Sequence, residues 1–291
     1  MQLAWFGGEP LLAMDLILSI TRRLQVIAER AACEFAANIT TNGYCLNGRT
    51  VDKLEQAGVR SIQVTLDGDR QTHDASRRTV TGKGSFDRIL ANMLNALERS
   101  PKVQFTVRAN LLPGQPNRIV GGLESIPYCF RSRITVHLHR VMRGNQPEGF
   151  DVDFANELAH TYQALRAVGF SAAVDAYLDP TPGVYCYAER STGAVIDPTG
   201  NVYRCSYTNY DAQERIGVLE PDGSIRPTGK YLDIWQEVVA CEPTRCLDCK
   251  FLPICGFGCP KLRMSNDSAT TCKNRFHFLP DTLRALAGTV E

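Results

Sequence analysis

Seven cysteines are spaced as metal ligands are. Cys186 and Cys205 bracket Gly200, with thirteen residues before the glycine and four after it. Towards the C-terminus come Cys246-Leu247-Asp248-Cys249, then Cys255, Cys259 and Cys272. Written out, this is C-x13-G-x4-C, then C-x2-C-x5-C-x3-C, then a final cysteine. A thiolate is a soft ligand for iron or zinc, and cysteines this close in sequence can close on one centre. Seven exceed what one tetrahedral zinc needs, so the spacing implies two metal centres. A CxxC pair suits structural zinc as well as iron–sulfur, and spacing alone leaves that choice open. Cys33, Cys45 and Cys129 match no ligand gap and are expected to be small buried hydrophobes. Cys241 is a further candidate ligand without a motif behind it.

A second set of chemistry-bearing residues lies in the first half. In Gly7-Gly8-Glu9 two glycines let the backbone approach a ligand, and the carboxylate can accept from an ammonium group. The blander reading is a Gly-rich strand-to-helix turn with Glu9 near a helix N-terminus. Thr65-Leu66-Asp67-Gly68 and His73-Asp74-Ala75-Ser76-Arg77 offer a hydroxyl and a guanidinium whose planar fork suits a carboxylate. Asn42 and Asn110 add amides. All of these could instead be strand-end and loop residues with satisfied hydrogen bonds. His137 and His139 are expected to be hydrogen-bonded strand histidines rather than catalytic groups.

The elements that must position these groups alternate. Strands are expected at Leu3 to Phe6, Glu34 to Thr40, Val59 to Leu66, Val103 to Leu111 and Ile134 to Arg140. Between and after them come helical stretches over Leu11 to Ala32, Thr50 to Ala57, Ser85 to Arg99, near Asn117 to Ser125, and Asp153 to Val168. Strands and helices alternating in this way imply β/α units and a parallel sheet. In the third strand Ser61, Gln63, Thr65 and Asp67 share one face, against Ile62, Val64 and Leu66 on the other. Gln104, Thr106, Arg108 and Asn110 repeat this stripe, as do Asn38, Thr40 and Asn42, and Thr135, His137 and His139. A parallel sheet covered on both faces is normally apolar on both. One polar face therefore predicts a curved sheet with helices outside and a hydrated, ligand-holding inner face. The strand-end loops would carry the site. From about Gly169 the pattern changes. A Pro-rich connector (Tyr177 to Gly183) leads to a β-hairpin over Ala194 to Cys205 turning at Gly200, and a short helix over Asp233 to Val239 precedes the cysteine tail. The boundary between two domains falls near 180.

The cysteine pattern resembles the SPASM domain of radical S-adenosylmethionine (SAM) enzymes, and Phe6-Gly7-Gly8-Glu9-Pro10-Leu11-Leu12 resembles their GGEP motif. The resemblance covers nearly the whole chain. It implies an α/β fold: a partial (β/α)6 TIM-like barrel over 1–180 and a small Cys-rich SPASM domain over 181–291. It implies a maturase in which a SAM-derived 5′-deoxyadenosyl radical abstracts hydrogen from a peptide or protein substrate, to make a crosslink or thioether. SAM would be held by Gly7, Gly8 and Glu9 at its amino group, by Thr65 (where the family's usual residue is serine) and Arg77, and by Asn42 and Asn110 at the ribose or methionyl part. Two auxiliary [4Fe-4S] clusters are implied. The outer takes Cys246, Cys249, Cys255 and Cys272; the inner takes Cys186, Cys205 and Cys259, with a fourth position open or filled by another residue. An electron donor such as flavodoxin or ferredoxin is implied as a partner. In the sulfatase-maturing members an aspartate base follows the cysteine matching Cys205; here Ser206 stands there, and a hydroxyl is not a carboxylate base.

The family's C-x3-C-x2-C, which holds the catalytic cluster, lies upstream of GGEP. Only six residues precede Gly7 and none of them is cysteine. The expectation is a chain lacking its first β/α unit, from a misplaced start or fragmentary gene, inactive alone, with the Leu3–Phe6 strand left as an aggregation-prone edge. Two readings stay open beside it: an iron–sulfur electron-transfer or scaffold half-protein that needs a partner, and a zinc-ribbon binding module. Net charge is +1 with 22% charged residues and no charged block, which gives no support to a nucleic-acid or membrane-surface role. No apolar run is long enough for a membrane span, and Met1-Gln2-Leu3-Ala4-Trp5 lacks a basic signal-peptide start. An odd total of eleven cysteines fits a disulfide framework poorly, so reduced, metal-binding thiols and a cytoplasmic location are expected.

Overall fold

The computed structural model of the chain describes residues 1–111, 118–140, 152–174 and 186–264. They fall into two compact units, one ending at residue 174 and one starting at 186.

The first unit is built from β/α repeats. Strand β1 (Gln2–Trp5) leads through a 3-10 turn (Pro10–Ala13) to helix α1 (Met14–Arg30). Then follow β2 (Ala36–Thr41), α2 (Gly48–Gln56), β3 (Val59–Thr65), α3 (Arg70–Ser76), α4 (Phe86–Arg99), β4 (Gln104–Leu111), α5 (Ile119–Leu123), α6 (Tyr128–Arg131), β5 (Ile134–Arg140), α7 (Val152–Ala167) and β6 (Ser171–Val174). The six strands pair in chain order, β1-β2-β3-β4-β5-β6, each neighbouring pair parallel. Helices serve as the crossovers that parallel pairing requires. The result is the expected α/β fold with a parallel sheet.

Local sequence explains the helix starts. Pro10 fits the first turn of its 3-10 segment, where its missing N–H costs nothing. Asn47 caps α2 by accepting from the Thr50 N–H, and Asp69 caps α3 by accepting from the Thr72 N–H. Helix α4 buries Phe86, Ile89, Met93, Ala96 and Leu97, one stripe at helical spacing.

The two sheet faces differ as the strand alternation predicts. Ile39, Ile62, Val64, Phe105, Val107, Ala109, Val136 and Leu138 are buried in one core with Ile17 of α1, Leu54 of α2, Met93 of α4 and Leu165 of α7. On the other face side chains stand in register across strands. One row runs Thr40, Gln63, Thr106, Thr135, Ser171; the next runs Thr65, Arg108, His137, Ala173. Asn110 and His139 pair one step further along. The polar members of these rows are half-buried or exposed, apart from buried Thr65.

Four expectations need correction. Strand β6 is part of the sheet, although the sequence pattern changes after Gly169. Helix α3 lies between the expected third strand and the helix at Ser85, where the sequence reading places no element. Cys33 and Cys129 are exposed and Cys45 is half-buried, so none is a buried hydrophobe. Cys33 sits in the turn after α1, where its Sγ accepts from the N-terminal amine of Met1; Cys129 lies on short α6, none of whose residues is buried. Finally, the long first helix is split between the 3-10 turn and α1. The Pro-rich connector, residue 117 and Cys272 lie outside the described residues.

In the second unit, a 3-10 turn (Tyr187–Glu189) precedes β7 (Val195–Ile196), β8 (Asn201–Tyr203), β9 (Gly217–Leu219) and β10 (Ile225–Pro227), an antiparallel sheet in the order β10-β9-β8-β7. The expected hairpin is β7–β8; Asp197 shapes its turn by accepting from the Thr199 and Asn201 N–H groups. Four helices follow: α8 (Tyr231–Ala240), α9 (Thr244–Leu247), α10 (Leu252–Cys255) and α11 (Pro260–Met264). Buried Trp235 of α8 donates from its indole N–H to the Ala188 carbonyl at 3.1 Å.

Candidate functional site

The C-terminal ends of β1 to β4 bring most of the first set of candidate residues into line. After β1 the chain enters Gly7-Gly8-Glu9. Gly7 has φ +133°, a conformation that side-chain-bearing residues rarely adopt, and a Cβ added at Gly7 or Gly8 would meet no atom within 4 Å. The backbone here is open to a ligand. Glu9 faces the end of β2. Its Oε1 accepts from the Thr41 hydroxyl at 2.7 Å and the Leu11 N–H at 3.1 Å, and its Oε2 accepts from the Asn42 N–H at 2.8 Å. Glu9 thereby joins the β1 loop to the β2 loop. The Asn42 Oδ1 accepts from the Tyr44 N–H at 2.8 Å, which fixes the amide over its own turn.

At the end of β3, Thr65 is buried and in register with Arg108. Two residues on stands Asp67. Its Oδ1 accepts from both the backbone N–H (2.9 Å) and the side-chain amide (3.0 Å) of Asn110, and its Oδ2 accepts from Nε of Arg77 at 2.5 Å. The Oδ1 of Asn110 in turn accepts from Nε of Arg108 at 3.0 Å. Asp67 is 13% exposed and Arg77 38%. Arg77 thus has its Nε engaged by Asp67, while the guanidinium still carries its two Nη groups. A guanidinium held at one edge is positioned to offer the other to a carboxylate. Sequence reasoning singles out Arg77 and Asn110 but not the carboxylate that joins them. The signal is there: Asp67 extends the polar stripe of β3.

The second unit gathers three of the seven metal-ligand candidates. The thiols of Cys186 and Cys205 are both pushed above their ordinary range, first by burial, and Cys259 lies close enough to raise each further by charge repulsion. The two sulfurs share a device: Cys186 accepts from the Ala188 N–H, and Cys205 accepts from the Tyr207 N–H at 3.2 Å. Hydrogen bonds of this kind favour thiolate over thiol, and a bound metal displaces the thiol protons that burial retains. Between Cys255 and Cys259 the chain turns through three successive left-handed residues, Gly256, Phe257 and Gly258 (φ 53°, 65° and 78°). The glycines accept this without strain, whereas Phe257 does not. Arg204, adjacent to Cys205 and 6% exposed, donates to the carbonyls of Ala188, Arg190, Ser191 and Gly193. It ties the Cys186 loop to β8.

No three His, Cys, Asp or Glu side chains among the described residues converge on a single metal ion. The chemistry of Cys186, Cys205 and Cys259 (soft donors, close enough to interact, two of them with N–H···S bonds) fits a wider iron–sulfur cradle. For the other ligand set, Cys246 is half-buried at α9 and Cys249 is exposed. Cys255 ends α10, and Cys272 lies outside the described residues. Cys241 is exposed after α8.

Comparisons with known proteins bear on the family and the fold. The family model of the Radical SAM superfamily matches residues 2–121. The mycofactocin maturase MftC of Mycolicibacterium smegmatis is 25% identical over 277 residues, covering 87% of this chain and 64% of its own length. The Fe-coproporphyrin III synthase of Methanosarcina barkeri is 33% identical over 103 residues, 35% of this chain and 23% of that protein. The chain thus spans less than two thirds of the length of these relatives. Among solved structures, native anSMEcpe with bound AdoMet has the same fold: a TM-score of 0.65 at 15% identity, over 99% of this chain and 85% of that one. The residues that match the radical SAM superfamily model, 2–121, are those that form β1 to β4 and the loops that carry Glu9, Asn42, Asp67 and Arg77.

Proposed function

We propose that this chain is the body of a radical SAM/SPASM maturase that acts on a peptide or protein. The observation that carries the reading is the line of groups at the strand ends: open Gly7-Gly8 backbone, Glu9 bonded to Asn42, buried Thr65, and Arg77 held by an Asp67–Asn110 pair. In this reading the amino group of SAM lies against the Gly7-Gly8 backbone. Glu9, its carboxylate occupied by three donors, fixes that loop. Arg77 takes the SAM carboxylate on its Nη edge, and Asn42, Thr65 and Asn110 border the remainder. SAM bound there, together with a [4Fe-4S] cluster and an electron donor such as flavodoxin or ferredoxin, would supply hydrogen-abstracting radical chemistry toward the substrate. Cys186, Cys205 and Cys259 would hold an inner auxiliary cluster, and Cys246, Cys249, Cys255 and Cys272 an outer one. Residues 1–180 would form the partial barrel and 181–291 the SPASM domain. A peptide substrate is supported by the similarity to a mycofactocin maturase and by the like-folded anSMEcpe, which binds AdoMet and a Kp18Cys peptide.

The ligands of the catalytic cluster are not among the described residues, and β1 indicates where they would join. It is the outer strand of the sheet, and beside it Leu12, Leu16 and Ile27 are exposed along the 3-10 turn and α1, Leu12 to 79%. A further β/α unit bearing C-x3-C-x2-C would cover this edge. The described helices contain none long and apolar enough to cross a membrane.

The test is anaerobic reconstitution with iron and sulfide, followed by iron analysis and titration with SAM. A brown protein that loses iron in Cys186→Ser and Cys205→Ser variants, and SAM affinity in Arg77→Ala, supports the assignment. Colourless protein holding zinc alone would overturn it. 5′-Deoxyadenosine is expected only when a C-x3-C-x2-C unit is also present.

A further inference from the structure

His73 is buried completely and plays no part in the chemistry above. Both ring nitrogens are engaged. Nδ1 accepts from the Asp67 backbone N–H at 3.2 Å. Nδ1 is therefore unprotonated, and Nε2 carries the hydrogen, which it donates to the Ser85 hydroxyl at 3.1 Å. The Ser85 hydroxyl then donates to the Arg77 carbonyl at 2.7 Å, and the carbonyl of His73 accepts from the Arg77 N–H at 2.8 Å. One neutral imidazole thus reaches the main chain of both members of the Asp67–Arg77 pair, of Asp67 directly and of Arg77 through Ser85. The Phe86 ring closes one side, edge-on at 5.8 Å between centroids.

We infer that His73 is a positioning residue that sets the Asp67–Arg77 pair, and through it the guanidinium edge offered to a ligand carboxylate. The inference deepens the SAM reading and rests on it for the identity of that ligand. It works only with the imidazole neutral, because a proton on Nδ1 would face the Asp67 N–H donor to donor. The charged groups acting on the ring are Asp67 from the β3–α3 loop, Arg77 just after α3 and Asp74 from α3; Asp74 is itself bonded to the Ser85 and Phe86 N–H groups at the start of α4. Burial dominates and holds the ring below the ordinary histidine range, so the pair is intact at neutral pH. It opens as the pH falls below that range.

The experiment reads the pair itself. In 15N-arginine-labelled protein the downfield, hydrogen-bonded Arg77 Nε–H resonance, assigned by its loss in Arg77→Lys, should be present at pH 7 and give way to a free-guanidinium resonance on acidification. His73→Asn keeps an acceptor at the Nδ1 position but cannot take the proton; there the resonance should persist across the acid range. His73→Leu should lose it at pH 7 while circular dichroism remains native, and bind SAM about tenfold more weakly, the cost of one such bond. Acid loss that is unchanged in His73→Asn, or an unaffected resonance in folded His73→Leu, would overturn the inference, even with SAM binding intact. A resonance that behaves as expected in a protein with no affinity for SAM would uphold the positioning role and sink the SAM reading instead.

Discussion

Replacing Arg204, which follows β8 directly, by methionine should destabilise the second unit. The guanidinium satisfies four carbonyls of the 188–193 segment: Ala188 at 3.1 Å, Ser191 at 3.3 Å, Gly193 at 2.6 Å, and Arg190. Charge-assisted bonds contribute roughly 1.5–3 kcal/mol each in isolation. Against them stands the desolvation of a buried cation, which lowers the affinity of Arg204 for its proton, and an Nε that has no partner among the described residues. Each buried carbonyl left without a donor costs about 1–3 kcal/mol, so after the relief of desolvating the cation the net loss should be about 3–5 kcal/mol. Methionine matches the stem in bulk, so the loss isolates the polar contribution. With a urea m-value of about 2 kcal/mol per molar, the midpoint should fall by roughly 2 M. The assay is available in the chain itself. Trp235 bonds to the same Ala188 carbonyl, and the only other tryptophan, Trp5, belongs to the first unit, so a Trp5→Phe background makes indole fluorescence a local reporter. A midpoint shift below about 0.3 M would show that water or neighbouring groups satisfy those carbonyls, and would refute the clamp.

Three further outcomes are expected. Glu9→Gln places an amide where the carboxylate accepts three hydrogen bonds, and should lower stability by about 1–2 kcal/mol in thermal melts while weakening SAM binding. Gly258→Ala should cost about 1–2 kcal/mol because position 258 is left-handed, and anaerobically reconstituted protein should hold less iron; an unchanged melt would contradict the geometry. The Asp69 carboxyl is held below its ordinary range chiefly by the Thr72 N–H, so its contribution is complete above the ordinary aspartate pKa and is lost as pH falls through the lowered value. The melting difference between wild type and Asp69→Asn should therefore shrink at strongly acid pH; a constant difference would count against the cap.

Much of the first unit is legible because its strands alternate. Ile62, Val64 and Leu66 against Ser61, Gln63 and Thr65 announce both a strand and the identity of its faces, and helix α4 announces itself by its buried stripe. Strand β6 escapes a reading of the sequence for a physical reason: Ser171-Ala172-Ala173-Val174 has mostly small side chains and little intrinsic strand preference, and its place is set by pairing with β5. Helix α3 (Arg-Gln-Thr-His-Asp-Ala-Ser) shows no apolar face because its one buried side chain is His73. Its start is nevertheless encoded in Asp69. Strands β9 and β10 are three residues each, with Pro227 in the last, too short for a period to appear. At the site, the residue types are readable and the bonds are not. Nothing in the sequence tells that Asp67 would join Arg77 to Asn110, or that His73 would be neutral and donate from Nε2.

The division of the sheet into one polar and one apolar face has a consequence for how such a chain can vary. Substitutions at Gln63, Thr106 or Thr135 alter the ligand side without disturbing the packing of α1, α2 and α4. Those at Val64 or Val107 do the reverse. A single-residue insertion within β3 would exchange the two sets at once, presenting valines to the hydrated face and burying Gln63 among isoleucines and leucines. Paired insertions would preserve the alternation. Surviving length changes should therefore collect in the strand-end loops, where each β/α unit can acquire new ligand contacts independently of its neighbours, and be nearly absent from the strands themselves.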